Sequence, residues 1–175
     1  MKDAALRLVH SRLAPGARIL ELGTLRSTPG RPTHLRDMFP SYDYVRSDGT
    51  AGEDVDVVAD AHALSATFGP GSFDCVIAMS VWEHLRRPWD CAEEVHKVLK
   101  WGGLALIATH QTFPLHGYPQ DYFRFSAEAL RECFRAFDVI QLGYAQPCVI
   151  DPGPIPNWNP AAPAYLDIIG VFHKL

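Results

Sequence analysis

Acidic side chains in this chain recur where apolar runs stop. Ala17 to Ser27 reads A-R-I-L-E-L-G-T-L-R-S, in which the apolar residues Ile19, Leu20 and Leu22 lead into Glu21 and Gly23, the pattern of a buried strand halted at a ligand. Asp48 stops a second strand-like run, Asp60 with Ala61 an alternating third, and Ser80, followed by His84, an apolar fourth. In a doubly wound sheet such strand ends gather along one edge, where small ligands bind. An acid at the end of the second strand can accept hydrogen bonds from both hydroxyls of a ribose, and Asp60 can accept from an adenine amino group. Gly23 lets backbone amides approach a ligand with no Cβ in the way. One acid at a strand end is a common turn residue; three in succession point to a nucleotide.

The elements that must position these groups follow from periodicity. Residues 3 to 13 read as a helix capped by Asp3, with Leu6, Val9 and Leu13 three and four apart and Pro15-Gly16 ending it. Strands are expected at 18 to 22, at 42 to 47, at 55 to 60 and at 73 to 79. The last of these, F-D-C-V-I-A-M, is nearly continuously apolar, as expected of a central parallel strand covered on both faces. A brief helix fits 61 to 68, and any helix between Thr28 and Pro40 must fit from about Arg31 to Phe39. Pro88 opens a helix to about Lys100, with Glu93 and Lys97 as a four-apart pair and Gly102-Gly103 closing it. The fifth strand is expected at 104 to 109. Ser126 caps a helix with Leu130, Cys133, Phe134 and Phe137 on its apolar face. Strands at 138 to 143 and 166 to 173 follow, joined by a segment (145 to 165) with six prolines and no helical pattern. Parallel neighbours need a crossover, normally a helix, so this last pair is antiparallel. The expected architecture is α/β, a doubly wound, seven-stranded and mostly parallel sheet with an antiparallel last strand.

Composition narrows the classes. The 175 residues make one domain, 1 to 175, and 47% hydrophobic with 21% charged residues is ordinary globular composition. A net charge of −4 with scattered basic residues argues against nucleic acid as a partner. No apolar run is long enough for a membrane span, and Met1-Lys2-Asp3 opens no signal peptide, so a cytoplasmic location is expected. Cys75, Cys91, Cys133 and Cys148 are far apart, without a C-x-x-C pair, and are read as reduced.

Five segments together resemble a known family: R-I-L-E-L-G, Y-V-R-S-D, D-V-V-A-D-A-H-A-L, F-D-C-V-I-A-M-S-V-W-E-H-L and E-E-V-H-K-V-L-K-W-G-G-L. Over about residues 17 to 137 the chain resembles class I S-adenosylmethionine-dependent methyltransferases of the methyltransferase type 11 kind. The resemblance implies a Rossmann-like methyltransferase fold with S-adenosylmethionine as cofactor. By position it implies that Glu21 and Gly23 border the methionine part, Asp48 holds the ribose, Asp60 with Ala61 reads the adenine, and Met79 and Ser80 line the floor. The chain departs from the family's E-x-G-x-G-x-G loop at Leu25 and Ser27, keeping only Gly23.

Methyl transfer from a sulfonium is a one-step displacement, so the protein mainly aligns the reactants and excludes water. A hydroxyl acceptor also needs a base, and His84, His110 and His116 are the candidates because imidazole titrates near neutrality. H-G-Y-P-Q-D-Y-F-R-F-S, residues 116 to 126, also resembles a segment of these enzymes, and Tyr118, Asp121, Tyr122 and Arg124 are expected over the fifth strand as acceptor contacts. Trp158, with Asn157, Asn159 and Tyr165, completes the expected acceptor wall. Glu83-His84 with His110 or His116 resembles part of the E-x-x-E-H arrangement that binds a divalent ion in some related methyltransferases, but Ser80 stands at the first Glu, so no metal is expected.

The expected activity is methylation, at oxygen, of a small-molecule, glycan or natural-product acceptor in an open cleft that a homodimer or partner chain could close. Two alternatives remain: an inactive methyltransferase-like interaction domain, and a nicotinamide-dependent oxidoreductase. G-x-G-x-x-G is absent, which disfavours the second.

Overall fold

The computed structural model describes residues 2–26, 30, 34–117, 120–151, 153 and 163–175. Its frame is one seven-stranded sheet in the order β3-β2-β1-β4-β5-β7-β6. The strands are β1 (Arg18–Leu22), β2 (Asp43–Asp48), β3 (Val57–Val58), β4 (Phe73–Met79), β5 (Leu99–His110), β6 (Asp138–Cys148) and β7 (Ala164–His173). Strands β1 to β5 pair in parallel, while β7 runs antiparallel to both β5 and β6, as the proline-rich connection requires.

Each face of the sheet carries its own core. Helix α1 (Lys2–Arg12) lays Ala5, Leu6 and Val9 against Ile19, Ile77, Leu106 and Phe39. Helices α2 (Leu64–Phe68), α3 (Pro88–Val98) and α4 (Ala127–Cys133) cover the other face, where Trp82, Val95, Leu130, Phe134 and Phe172 are fully buried. Phe134 stacks on Phe172 with centroids 4.4 Å apart, and Trp82 packs against Phe134 at 5.2 Å. Burying side chains of this size contributes about 1.5–3 kcal/mol each, which keeps the strand ends in register.

Several boundaries differ from the sequence reading. Asp3 lies inside the first turn of α1, which begins at Lys2, rather than capping it. The third strand shrinks to two residues because Asp56 turns to bind Arg46, and the expected helix before Phe39 is a single turn, Arg36–Met38. The helix over 61–68 starts as a separate turn, Ala61–Ala63, capped by Asp60. Helix α3 stops at Val98, not near Lys100. The amides of Gly71 and Ser72 take the carbonyls of Lys97 and Val98 at 3.0 and 2.7 Å, and Leu99 already pairs with Phe73. Gly102-Gly103 therefore lies within β5, beside a register shift, where a Cβ on Gly103 would come within 2.9 Å of the Lys100 carbonyl. The pair expected between Glu93 and Lys97 is instead Glu94 with Lys97 at 2.6 Å, and Lys100 reaches Asp74. Phe134 and Phe137 lie beyond the end of α4 but still join the core.

Candidate functional site

The carboxyl ends of β1, β2 and β4 and the short β3 bring the predicted acids to one edge. Gly23 sits at φ +78°, and a Cβ there would meet Val81 Cγ2 at 2.3 Å. The turn after β1 thus approaches the turn after β4 more closely than any side chain allows. The amides of Gly23 and Thr24 both donate to the Ser47 carbonyl, folding this turn over the end of β2.

Where the family loop would continue with glycine, the chain builds a polar knot. Thr24 Oγ1 donates to the Asp54 carbonyl at 2.9 Å, and Arg26 pairs with Asp54 at 2.7 Å and Glu53 at 2.7 Å. Arg46 pairs with the same Asp54 at 2.9 Å, and the Arg26 guanidinium beside it holds the Asp54 carboxyl below the usual range. Leu25 fills the space over Gly52, where a Cβ would lie 2.3 Å from Leu25 Cδ1.

Asp48, half-buried, accepts from the amides of Leu25 at 3.2 Å and Thr50 at 3.1 Å, one on each oxygen. A carboxylate offers about four acceptor positions, so two remain for a ribose. Asp60 is exposed, and one of its oxygens accepts from the His62 amide while the Ala61 turn begins beside it. Met79 is half-buried, and Ser80 follows it, exposed and at φ +56°, with its amide on the Ala108 carbonyl. A non-glycine residue in this region marks a turn with an imposed conformation. These residues fit an adenosine-bearing ligand.

Glu21 stands apart from them. It is 2% exposed, with its oxygens taking the Leu35 amide at 2.9 Å and the Tyr44 hydroxyl at 2.7 Å. Burial pushes its pKa up to about 7, against the opposing pull of those two donors. Its carboxylate ties the segment after β1 to the underside of β2.

The three candidate histidines meet at one buried carboxylate. Glu83, in the single turn Trp82–His84 after β4, is fully buried and accepts from Thr109 Oγ1 at 2.7 Å through Oε2. Its Oε1 faces Nε2 of His110 at 3.1 Å, His84 at 3.8 Å and His116 at 3.9 Å. The nearest of the three is close enough to pair but is not aligned as a hydrogen bond, so Oε1 is a buried oxygen without an aligned donor. On each ring the other nitrogen is occupied: His84 Nδ1 by the Gln120 carbonyl at 2.6 Å, His116 Nδ1 by the Pro114 carbonyl at 3.1 Å, and His110 Nδ1 by Asp167 at 3.1 Å. Burial alone would lower the His110 pKa, but Asp167 and Glu83 outweigh it and raise it to about 9. The same burial would raise Glu83, yet His110 and Thr109 carry it below the usual range.

The loop from 111 to 125 wraps this cluster. Tyr122 and Phe123 donate their amides to the Glu83 carbonyl, and Phe125 donates to that of His110. Arg124 grips both oxygens of Asp121 at 2.5 and 2.7 Å and the carbonyls of Phe113, Pro114 and Phe123. Asp121 also takes the His116 amide, and its carboxyl is held far below the ordinary range, chiefly by Arg124. Asp121 and Arg124 therefore shape the loop, while Tyr122 is exposed on it. Tyr118 and Trp158, with Asn157 and Asn159, lie outside the described residues. The larger of the two clefts described, about 630 Å³, lies between α3 and α4 and is lined by none of the cofactor or histidine candidates.

Asp167 was not among the sequence candidates, and Glu83 entered only through a metal arrangement set aside because Ser80 stands at its first Glu. The antiparallel register of β5 and β7 sets His110 opposite Asp167, a relation invisible until the pairing is known. Glu83 carried a signal, its place beside His84 at a strand end.

No helix among the described residues is long and apolar enough to cross a membrane. No curated protein matches the chain. A methyltransferase-domain family model matches residues 39–107. Among solved structures, a methyltransferase from Haloferax volcanii in complex with the Trm112 activator is 20% identical, with 99% of this chain and 88% of that chain covered and a TM-score of 0.69. A SAM-dependent methyltransferase from Archaeoglobus fulgidus is 16% identical, covering 99% and 93%, at 0.70. The 1,6-didemethyltoxoflavin-N1-methyltransferase of Burkholderia thailandensis, with its substrate and S-adenosylhomocysteine bound, is 14% identical, covering 98% and 76%, at 0.69. At such identities the likeness speaks for the fold. The methyltransferase-domain match thus covers residues 39–107, and the chain shares the fold of these S-adenosylmethionine-dependent methyltransferases over nearly its whole length.

Proposed function

We propose that this chain methylates a hydroxyl of a small-molecule, glycan or natural-product acceptor held over the carboxyl ends of β4 and β5. The observation that carries this reading is the convergence of His84, His110 and His116 on the buried Glu83. S-adenosylmethionine supplies the methyl group as a sulfonium. On the cofactor side Gly23 gives the backbone approach, Asp48 accepts the ribose hydroxyls, Asp60 and Ala61 meet the adenine, and Met79 and Ser80 form the floor. Glu21 acts from below by fixing the segment that closes over them.

With that cofactor bound, the acceptor oxygen would take the methyl group with release of the thioether, and its hydroxyl proton would leave to an imidazole Nε2. His84 and His116, with side chains 15% and 27% exposed, are the rings an acceptor can reach. His110, locked between Glu83 and Asp167, orients the cluster. Tyr122 stands at the rim of the acceptor side, with Asp121 and Arg124 holding the loop in place. Tyr118 and Trp158 keep their proposed role as acceptor contacts.

Calorimetric titration with S-adenosylmethionine and with S-adenosylhomocysteine tests the cofactor half. Micromolar binding that disappears in Asp48→Ala is the expected result. A folded protein that binds neither would instead support an interaction domain without activity, the reading that Leu25 over Gly52 favours.

A further inference from the structure

We propose that Glu83, His84 and His116 form a binding site for a divalent first-row transition-metal ion. One ligand atom from each of Glu83, His84 and His116 lies within 4.8 Å of the other two. The tautomers are set for this. Carbonyl oxygens only accept, so His84 and His116 each carry a proton on Nδ1, bound to Gln120 and Pro114. In the neutral rings Nε2 then holds a lone pair, and both Nε2 atoms face Oε1 of Glu83, which is itself an acceptor. Three acceptors turned toward one point, one of them on a fully buried carboxylate with no aligned donor, are reconciled by a cation between them.

The distances agree. Two donors each about 2.1 Å from an ion stand about 3.4 Å apart at a tetrahedral angle. The observed separations of 3.8 and 3.9 Å close to that value with small rotations of two partly exposed rings. Asp121 is already matched by Arg124 and Asp167 by His110, which leaves the Glu83 carboxylate as the anionic ligand between the two neutral rings. Two imidazoles with one carboxylate suit Zn²⁺, Co²⁺, Fe²⁺ or Mn²⁺ rather than Ca²⁺ or Mg²⁺. Ser80 offers no ligand; its place is taken by His116, which the loop held by Arg124 brings over the end of β5. Binding is independent of the reaction. The consequence for catalysis rests on the methyltransferase reading: the ion would replace the proton on these nitrogens and acidify an acceptor hydroxyl in their stead.

The test uses the full chain stripped with chelator and titrated with Co²⁺, followed by its visible d–d bands, and with Zn²⁺ by calorimetry. One equivalent is expected, with affinity falling at least about tenfold in His84→Ala and in His116→Ala and unchanged in His173→Ala. The two asparagine substitutions serve if an alanine variant fails to fold by circular dichroism. Absence of saturable binding, or binding that survives in both variants, overturns the site. S-adenosylhomocysteine titrated into the same metal-free sample separates the two readings: cofactor binding without metal binding leaves the methyltransferase assignment standing and removes only this site.

Discussion

Replacing Glu21 with glutamine tests whether the acid under the turn after β1 is a buried, reluctant anion. Its pKa rises from 4.5 to about 7 because burial outweighs the Leu35 amide and the Tyr44 hydroxyl. The folded chain therefore keeps a proton on Glu21 to higher pH than the unfolded chain does. Its contribution is complete below about pH 4.5 and is lost as pH rises to about 7, since the native state binds the extra proton throughout that window. At about 1.36 kcal/mol per unit, the shift amounts to about 3 kcal/mol. Glutamine is a neutral isostere: its oxygen can still accept from Leu35, and it has no charge to desolvate. Urea unfolding followed by tryptophan fluorescence should show the two proteins within about 1 kcal/mol of each other near pH 4.5, and Glu21→Gln more stable by about 3 kcal/mol near pH 8. The titration of His110 and Glu83 is common to both proteins and cancels. A stability difference that stays constant across this range would refute the reasoning, because it would mean that Glu21 titrates alike in the folded and unfolded chains.

Gly23→Ala places a Cβ in a left-handed backbone and 2.3 Å from Val81 Cγ2; a loss of about 2–3 kcal/mol in stability, with weakened S-adenosylhomocysteine binding by calorimetry, is expected. Unchanged affinity would place the turn outside the cofactor site. Arg124→Ala removes both bonds to Asp121 and those to three carbonyls, and should cost about 2 kcal/mol and speed amide exchange across residues 113–125. S-adenosylhomocysteine affinity should stay the same in that variant; a parallel loss would assign the loop to the cofactor instead of the acceptor.

The sheet was legible because its signals are local. A near-continuous apolar run marks β4, the strand-end acids mark its edge, and a proline-rich link without helical period forces β7 to run against its neighbours. The errors sit where tertiary hydrogen bonds compete with local preference. Gly102-Gly103 has the residues of a helix end, but the chain had already left α3 at Val98, because the turn before β4 had claimed the last carbonyls. Glu93 is four residues from Lys97, yet Glu94, bound to Ser65 of α2, is the partner that Lys97 takes.

The site shows the same division more sharply. Each histidine could be named from the sequence, but what makes the three a unit is Glu83, and Glu83 acts through relations of long sequence range. Thr109 is 26 residues away, the loop carrying His116 is fastened by Arg124, and Asp167 reaches His110 only through the β5–β7 register. Spacing along the chain cannot encode such a convergence, because it depends on which strands are neighbours and on how a 15-residue loop is pinned. The reduced glycine loop follows the same logic. Read alone, Leu25 looks like damage to a nucleotide site; in the fold it packs over Gly52 while Thr24 and Arg26 knit the turn to Asp54, so side-chain bonds fix the turn where the family loop would continue with glycine. The Asp48 and Gly23 experiments therefore decide more than cofactor affinity: they decide whether this knot substitutes for the glycines or has closed the site they once opened.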